Sequence, residues 1–242
     1  MVPILNGKDL VDISRDALVI DFFGLSDKEA RERFPLAYQR VLNGVKPERD
    51  QSQRAAYRNS WWLFAEQRPA LRSAIESLPM YCATAMTARH RLFLAVPANK
   101  LPDQGIVVIA TNNWEIIGVL ASRVHVLWAL AAGGRLGVGN DARYNNTRCF
   151  ETFPFPDPTP EQAETIRALA ESIDAHRKRQ QAAHPALTLT GMYNVLEKLR
   201  SGNTLSDKER AIHEQGLVSV LRQLHYEIDA AVLAAYGWAD LP

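Results

Sequence analysis

The sequence predicts an α+β fold: a small mixed sheet with packed helices over residues 1–156, then a C-terminal helical module over residues 157–242. Three observations predict it. Short apolar runs bounded by Gly, Pro and polar residues lie before the double-proline turn Phe153-Pro154-Phe155-Pro156, as strands do. After that turn, apolar residues recur at helical spacing. Charge divides at the same place: nineteen Lys/Arg stand against fifteen Asp/Glu before Asp157, and nine against twelve from it onward. With 242 residues, 47% of them apolar, the chain can build one large domain or two small ones.

Residues 17–23 (ALVIDFF) read as a buried strand ended by Gly24. Ser26-Asp27-Lys28-Glu29 is a capping box, so a helix follows, with a break near Pro35. Residues 81–87, 91–97 and 105–111 are three further strands, the first two forming a hairpin around Ala88-Arg89-His90. From Trp114, residues Ile116, Leu120, Val124, Leu127 and Ala131 keep helical spacing, and Gly133-Gly134 ends that helix. Thr159-Pro160-Glu161-Gln162 places a cap, an N1 proline and an N3 glutamine in order. The helix it starts carries Ile166, Leu169 and Ile173 and runs out through His176-Arg177-Lys178-Arg179, charges that suit a helix C-terminus. A second tail helix uses Leu189, Met192, Leu196 and Leu199 and stops at Gly202. A third starts at the capping box Ser206-Asp207-Lys208-Glu209, carries Leu217, Leu221, Leu224 and Ile228, and closes at Gly237.

Much chemistry is excluded. There is no GxxxxGK[ST] phosphate loop, no HExxH zinc site and no GxSxG elbow. Gly133, Gly134, Gly137 and Gly139 follow a helix rather than a strand, so the βα phosphate-binding geometry does not apply to them. No histidine pair has i,i+4 metal spacing, and no metal site is expected. Cys82 and Cys149 read as reduced thiols. Asp21, in an apolar stretch, reads as a structural carboxylate paired with an Arg or capping a turn, and no catalytic residue is assigned. Met1 leads into a polar loop and the longest apolar stretch is broken by charge, so neither a leader nor a membrane span is expected and the location is read as cytoplasmic.

Three segments suit a polyanion. Residues 46–72 interleave Lys46, Arg49, Arg54, Arg58, Arg68 and Arg72 with Tyr57, Trp61 and Trp62. That is a phosphate-contacting surface or a solvated helix face over core tryptophans. Residues 87–91 (TARHR) place two arginines and a histidine at a hairpin tip, which enters a groove or is simply a solvated turn. Residues 140–148 (NDARYNNTR) gather the side chains that base readout uses, Arg for guanine and Asn for adenine. Asn is also common in loops because it tolerates turns.

At these residues the chain resembles the C-terminal part of MmeI-like (type IIG) adenine-specific DNA methyltransferases, single-chain enzymes of restriction–modification. The matching pieces run in order along nearly the whole chain. They are LNGKDL at 5–10, VIDFFGLS at 19–26, VKPER at 45–49, WWLF at 61–64 with Arg68-Pro69, and LASRVHVLWA at 120–129. Then come 143–156 from Arg143-Tyr144-Asn145 to FPFP, LTGMYN at 189–194 and DAAVLAAYGW at 229–238. The resemblance implies a target recognition domain with a helical tail. A separate domain would bind S-adenosylmethionine and methylate adenine N6 after flipping the base. Its FxGxG-like loop and [ND]PP[YF] tetrapeptide do not occur here, nor does a visible nuclease motif. The chain thus reads as a split specificity subunit, a truncated product or a fragment.

The expected base readers are Arg89, Arg91, Arg135, Arg143, Asn145, Asn146 and Arg148. The expected phosphate contacts are Lys46, Arg49, Arg54, Arg58 and Arg123. No cofactor is expected in this chain, S-adenosylmethionine belonging to the catalytic domain. The expected partners are double-stranded DNA and a methyltransferase catalytic domain or subunit, with no membrane. The competing reading is a non-catalytic protein-interaction module that uses the helices at 160–180 and 208–236.

Overall fold

The structure, a computed structural model, describes residues 1–136 and 141–238. Strand β1 (Val2–Leu5) leads into the short helix α1 (Gly7–Val11), capped by the reciprocal Asn6–Asp9 box. The run 17–23 yields only a two-residue strand, β2 (Leu18–Val19), antiparallel to β1, and Leu18 is exposed. The expected buried strand fails at Asp21. One carboxylate oxygen accepts from the Phe23 amide at 3.1 Å and the other from Arg72 at 2.6 Å, turning the chain so that Phe22 drops into a separate aromatic cluster. Asp21 therefore both caps a turn and pairs with an arginine.

The Ser26 box opens α2 (Asp27–Arg33), and Pro35 breaks the chain into α3 (Pro35–Gly44). Short helices α4 (Lys46–Asp50) and α5 (Ala55–Asn59) follow, then α6 (Pro69–Glu76). Phe22, Ala30, Tyr38 and Trp61 form a small core between these elements.

Strand β3 (Met80–Ala85) is the centre of the principal sheet. Its continuation β4 (Thr87–Ala88) leaves for another sheet, while β5 (Leu94–Pro97) returns antiparallel with Tyr81 opposite Val96. After β6 (Leu101–Pro102), parallel to β1, strand β7 (Ile106–Ile109) covers the other edge of β3 with Ala83 opposite Val108. The three expected strands are present, each shortened.

The single helix expected from Trp114 is two, α7 (Trp114–Ala121) and α8 (Arg123–Ala132), bent by 64°. Ser122 makes the break: it is buried, its backbone is extended and its hydroxyl donates to the Val119 carbonyl at 2.7 Å. Leu127, expected to face the core, is 56% exposed as a result. No single helix among the described residues is long and apolar enough to cross a membrane. Strands β8 (Gly134–Leu136) and β9 (Asp141–Arg143) join β4 in the order β4-β9-β8, and a π-helical turn spans Asn146–Phe150.

Beyond the prolines stand α9 (Pro160–Ala183), α10 (Leu189–Arg200), α11 (Asp207–Gly216) and α12 (Val218–Ala235). The helix expected from Ser206 to Gly237 is divided at Leu217, which has a φ of 42° and is exposed. Helix α9 does not end at its basic run: His176 and Arg177 are buried within it. Leu5, Tyr81 and Val119 share one core with Ile166, Met192, Leu221 and Ile228, so residues from both sides of Pro156 build it. The contact is close where α7 crosses α9, because a Cβ on Gly118 would stand 2.6 Å from the Ile166 side chain.

Candidate nucleic-acid interface

The ribbon β4-β9-β8 presents the densest group of expected readers. Arg143 pairs in register with Gly134 on one side and Thr87 on the other; Ala142 pairs with Arg135 and Ala88. Residues directly opposite share a face, so Arg143 and Arg135 project from opposite faces of the ribbon. Both are exposed, as are Asn145, Asn146 and Arg148. Asn145 has a local duty: its carbonyl oxygen accepts from the Thr147 hydroxyl at 2.6 Å and from the Arg148 amide at 3.3 Å, capping the π-helical turn. Bidentate pairing with adenine needs that acceptor as well as the amide donors. Of the two asparagines, Asn146 is the one not engaged as the cap. Gly137, Gly139 and Asn140 lie outside the described residues.

The inner side of the ribbon is anchored. Tyr144 is buried, its amide donates to Met86 at 2.8 Å, and its hydroxyl is 3.0 Å from His125 Nε2. Phe153 stacks edge-on against the same imidazole with centroids 4.4 Å apart. Burial first, and Arg91 second, pull the His125 pKa down to about 3, so this imidazole is neutral. Cys149 is buried beneath the turn, its thiol donating to the Ala129 carbonyl at 3.7 Å; Cys82 is also a buried free thiol, pushed up to about 12 by burial. Gly133 is needed for close approach: a Cβ there would sit 2.6 Å from the Ala129 carbonyl oxygen and 2.7 Å from that of Arg143. Protein backbone fills the space at Gly133, so this glycine does not form a cofactor cradle.

Arg91 corrects one expectation. It is 7% exposed and donates to the Thr84 hydroxyl at 3.0 Å, the Ala142 carbonyl at 2.7 Å and the Ala85 carbonyl. Its guanidinium lies 5.3 Å from the centre of the Tyr144 ring. Burial lowers its pKa to about 10. Arg91 ties the ribbon to the principal sheet and is not available to a base. Its neighbours at the expected hairpin tip are docked too: His90 is 2.8 Å from Asn194, and exposed Arg89 is 3.5 Å from Glu197, both partners on α10.

The expected phosphate contacts are spread over the segment 46–58 and α8. Lys46 pairs with Asp50 at 2.6 Å, and Arg58 donates to the Ser52 carbonyl at 2.5 Å. Arg49 and Arg54 lie on the Tyr57 ring, 5.0 and 5.1 Å from its centre. Trp61 is buried and Trp62 donates to the Leu25 carbonyl at 3.0 Å, so these tryptophans belong to the small core. Arg123 is exposed at the start of α8, with its amide bonded to Asp229 at 2.7 Å. Among the described residues no three His, Cys, Asp or Glu side chains are grouped to hold a metal. Sequence reasoning missed Arg177 and Arg200, which share a cleft with Arg89, Arg91 and Arg123. No local signal marks them, because their neighbours come from elsewhere in the chain.

The family described as "MmeI, target recognition domain" matches residues 14–157. The chain belongs to this family. That match takes in the ribbon, the basic segment and the whole principal sheet. DNA methyltransferase A of Bacillus subtilis (strain 168) is 31% identical over 128 residues, covering 51% of this chain and 13% of that protein. A solved structure of the type IIL restriction–modification enzyme MmeI in complex with DNA superposes with a TM-score of 0.68 at 19% identity. It covers 98% of this chain and 28% of that one. The MmeI-like fold therefore extends past the matched recognition domain into the tail helices, and the chain spans a small part of each relative's length.

Proposed function

We propose that this chain reads the DNA sequence for an adenine-specific (N6) methyltransferase of a restriction–modification system. The observation that carries the reading is the recognition-domain match over residues 14–157, joined to a ribbon that exposes Arg135, Arg143, Asn146 and Arg148 on an anchored base. Arg143 stands between Gly134 and Thr87, small neighbours that leave its guanidinium free to present a bidentate fork to guanine. Lys46, Arg49, Arg54 and Arg58 would meet the phosphate backbone and set orientation without reading sequence. A methyltransferase domain or subunit would hold S-adenosylmethionine and perform the transfer; no cofactor is assigned to the residues of this chain. Residues 157–242 would brace the recognition part through the shared core. The competing protein-interaction reading keeps an exposed face on α12, where Val220 and Tyr226 are 47% and 70% exposed, while Ile166, Ile173, Leu221, Ile228 and Val232 of α9 and α12 are buried in the core; it predicts no mobility shift with duplex DNA.

The test is binding of the full chain to duplex DNA as salt is raised. Counterion release requires the association constant to fall steeply as salt rises, its logarithm changing with log salt at a slope near −0.9 for each phosphate neutralised, so four such contacts give about −3.6. Absence of a mobility shift at 50 mM salt would sink the reading. Methyl transfer by this chain alone, with S-adenosylmethionine added, would overturn the division of labour.

A further inference from the structure

We propose that the cleft between the β3–β5 connection, the start of α8 and the tail helices is a binding site for a phosphate group. Five arginines, Arg89, Arg91, Arg123, Arg177 and Arg200, contribute to the lining of one cavity of about 240 Å³, and among the described residues Glu197 is the only carboxylate in its wall. Glu197 is 3.5 Å from Arg89. Asp229 lies behind the wall, bonded to the Arg123 amide at 2.7 Å and standing 4.0 Å from Arg200. Two carboxylates do not balance five cations.

The two innermost arginines make the imbalance acute. Arg91 and Arg177 are 7% and 3% exposed. Their partners are neutral: the Thr84 hydroxyl and the Ala85 and Ala142 carbonyls for Arg91, the Phe93 carbonyl at 3.2 Å and the Tyr193 hydroxyl for Arg177. Neither forms an ion pair with a carboxylate among the described residues. His225, 2.6 Å from the same Tyr193 hydroxyl, is kept neutral by burial and by Arg177 and Arg200, so it adds no charge of its own. Low-dielectric walls around like charges focus a positive field into the cleft, and an entering oxyanion relieves their repulsion. Arg89, Arg123 and Arg200 remain accessible enough at the rim to fork onto its oxygens. Among the described residues the lining has no Asn or Gln amide to read a base edge, so the chemistry is that of a phosphate, either a backbone phosphodiester of DNA or a free phosphate. In the first case the site rests on the DNA-reading function and brings the tail helices into contact with the duplex; in the second it does not.

The experiment titrates the full chain with inorganic phosphate against sodium chloride of matched ionic strength, by calorimetry and thermal melting. Saturable one-to-one binding is expected, weakened at least 10-fold by the double variant Arg89→Gln/Arg123→Gln. Both residues are exposed, and circular dichroism without phosphate verifies that the variant folds. Arg222→Gln, exposed on α12 outside the cleft, serves as the control and should bind phosphate as the parent does. No binding beyond that of chloride, or equal binding by parent and double variant, overturns the proposal. Duplex titrations then identify the source. A salt slope shallower by about 1 to 2 in the double variant assigns the phosphate to the DNA backbone. An unchanged slope beside the lost phosphate binding assigns a free phosphate. Failure of the parent chain to bind duplex at all would sink the sequence-reading function while leaving the phosphate titration to decide this site.

Discussion

The ribbon at 134–150 and the segment at 46–72 are both rich in arginine and aromatic residues, yet they use them in opposite ways. In the ribbon the aromatic ring is buried and the cations stand clear of it: Tyr144 is bonded to His125 beneath the strands, while Arg135 and Arg143, on opposite faces, and Arg148 are exposed. In the segment at 46–72 cations lie on the rings or on backbone oxygens, Arg49 and Arg54 on Tyr57, Arg58 on Ser52 and Arg72 on both Asp21 and the Phe23 ring. An arginine fixed to a ring is a poor candidate for switching between bases, but it makes a pre-ordered point charge for a phosphate. Under the proposed function, that difference in what lies beneath each guanidinium is what would divide base readers from phosphate contacts.

The sharpest break would come from the floor of the ribbon. Tyr144→Ala removes a buried ring and should cost about 3–5 kcal/mol in urea unfolding. Tyr57→Ala, on the other surface, should cost far less. Equal costs would erase the contrast. Next is acid. The folded pKa of His125 is held near 3 and that of His225 well below 6.5 by burial, whereas both take up protons near pH 6.5 when unfolded. Stability is therefore greatest above pH 6.5 and falls as pH drops below it, by about 1.5 kcal/mol for His125 between pH 6.5 and 5, with His225 adding to the loss in the same direction. The segment at 46–72 contains no histidine, so this loss belongs to the ribbon floor and the tail. Urea midpoints that do not move over that range would contradict the burial of these rings.

Smaller effects should appear in binding. Arg143→Ala should lose about 1–3 kcal/mol against the cognate base at one position and little elsewhere, measured by competition among singly substituted duplexes with the reconstituted enzyme. Arg54→Ala should weaken all duplexes alike by under about 1 kcal/mol and make the salt slope shallower by about 0.9. A base-specific loss from Arg54→Ala, or a uniform loss from Arg143→Ala, would reverse the assigned roles. Asn145→Ala adds a further discrimination: an effect chiefly on stability, about 1 kcal/mol, is expected of a cap, and a chiefly base-specific effect would restore it as a reader.

The sequence by itself determined the α+β class, the family and the capped helix starts. The boxes at Ser26, Thr159 and Ser206 all form as spaced, because a cap bonds to an amide only three residues away. It also determined which arginines and asparagines were on offer. Helix ends were less legible: Ser122 and Leu217 interrupt runs whose apolar spacing continues unbroken, since a kink answers to what the next helix packs against. Only the tertiary structure decided which cations face solvent. Arg91 reads like Arg89 in the chain, yet it is bonded to Ala142, 51 residues away; Arg177 is bonded to Phe93, 84 residues away. Burial is a sum over such distant neighbours, and no window along the chain contains them. The same distance in sequence hid the five-arginine cleft, whose walls meet only once the tail helices have folded onto the recognition domain.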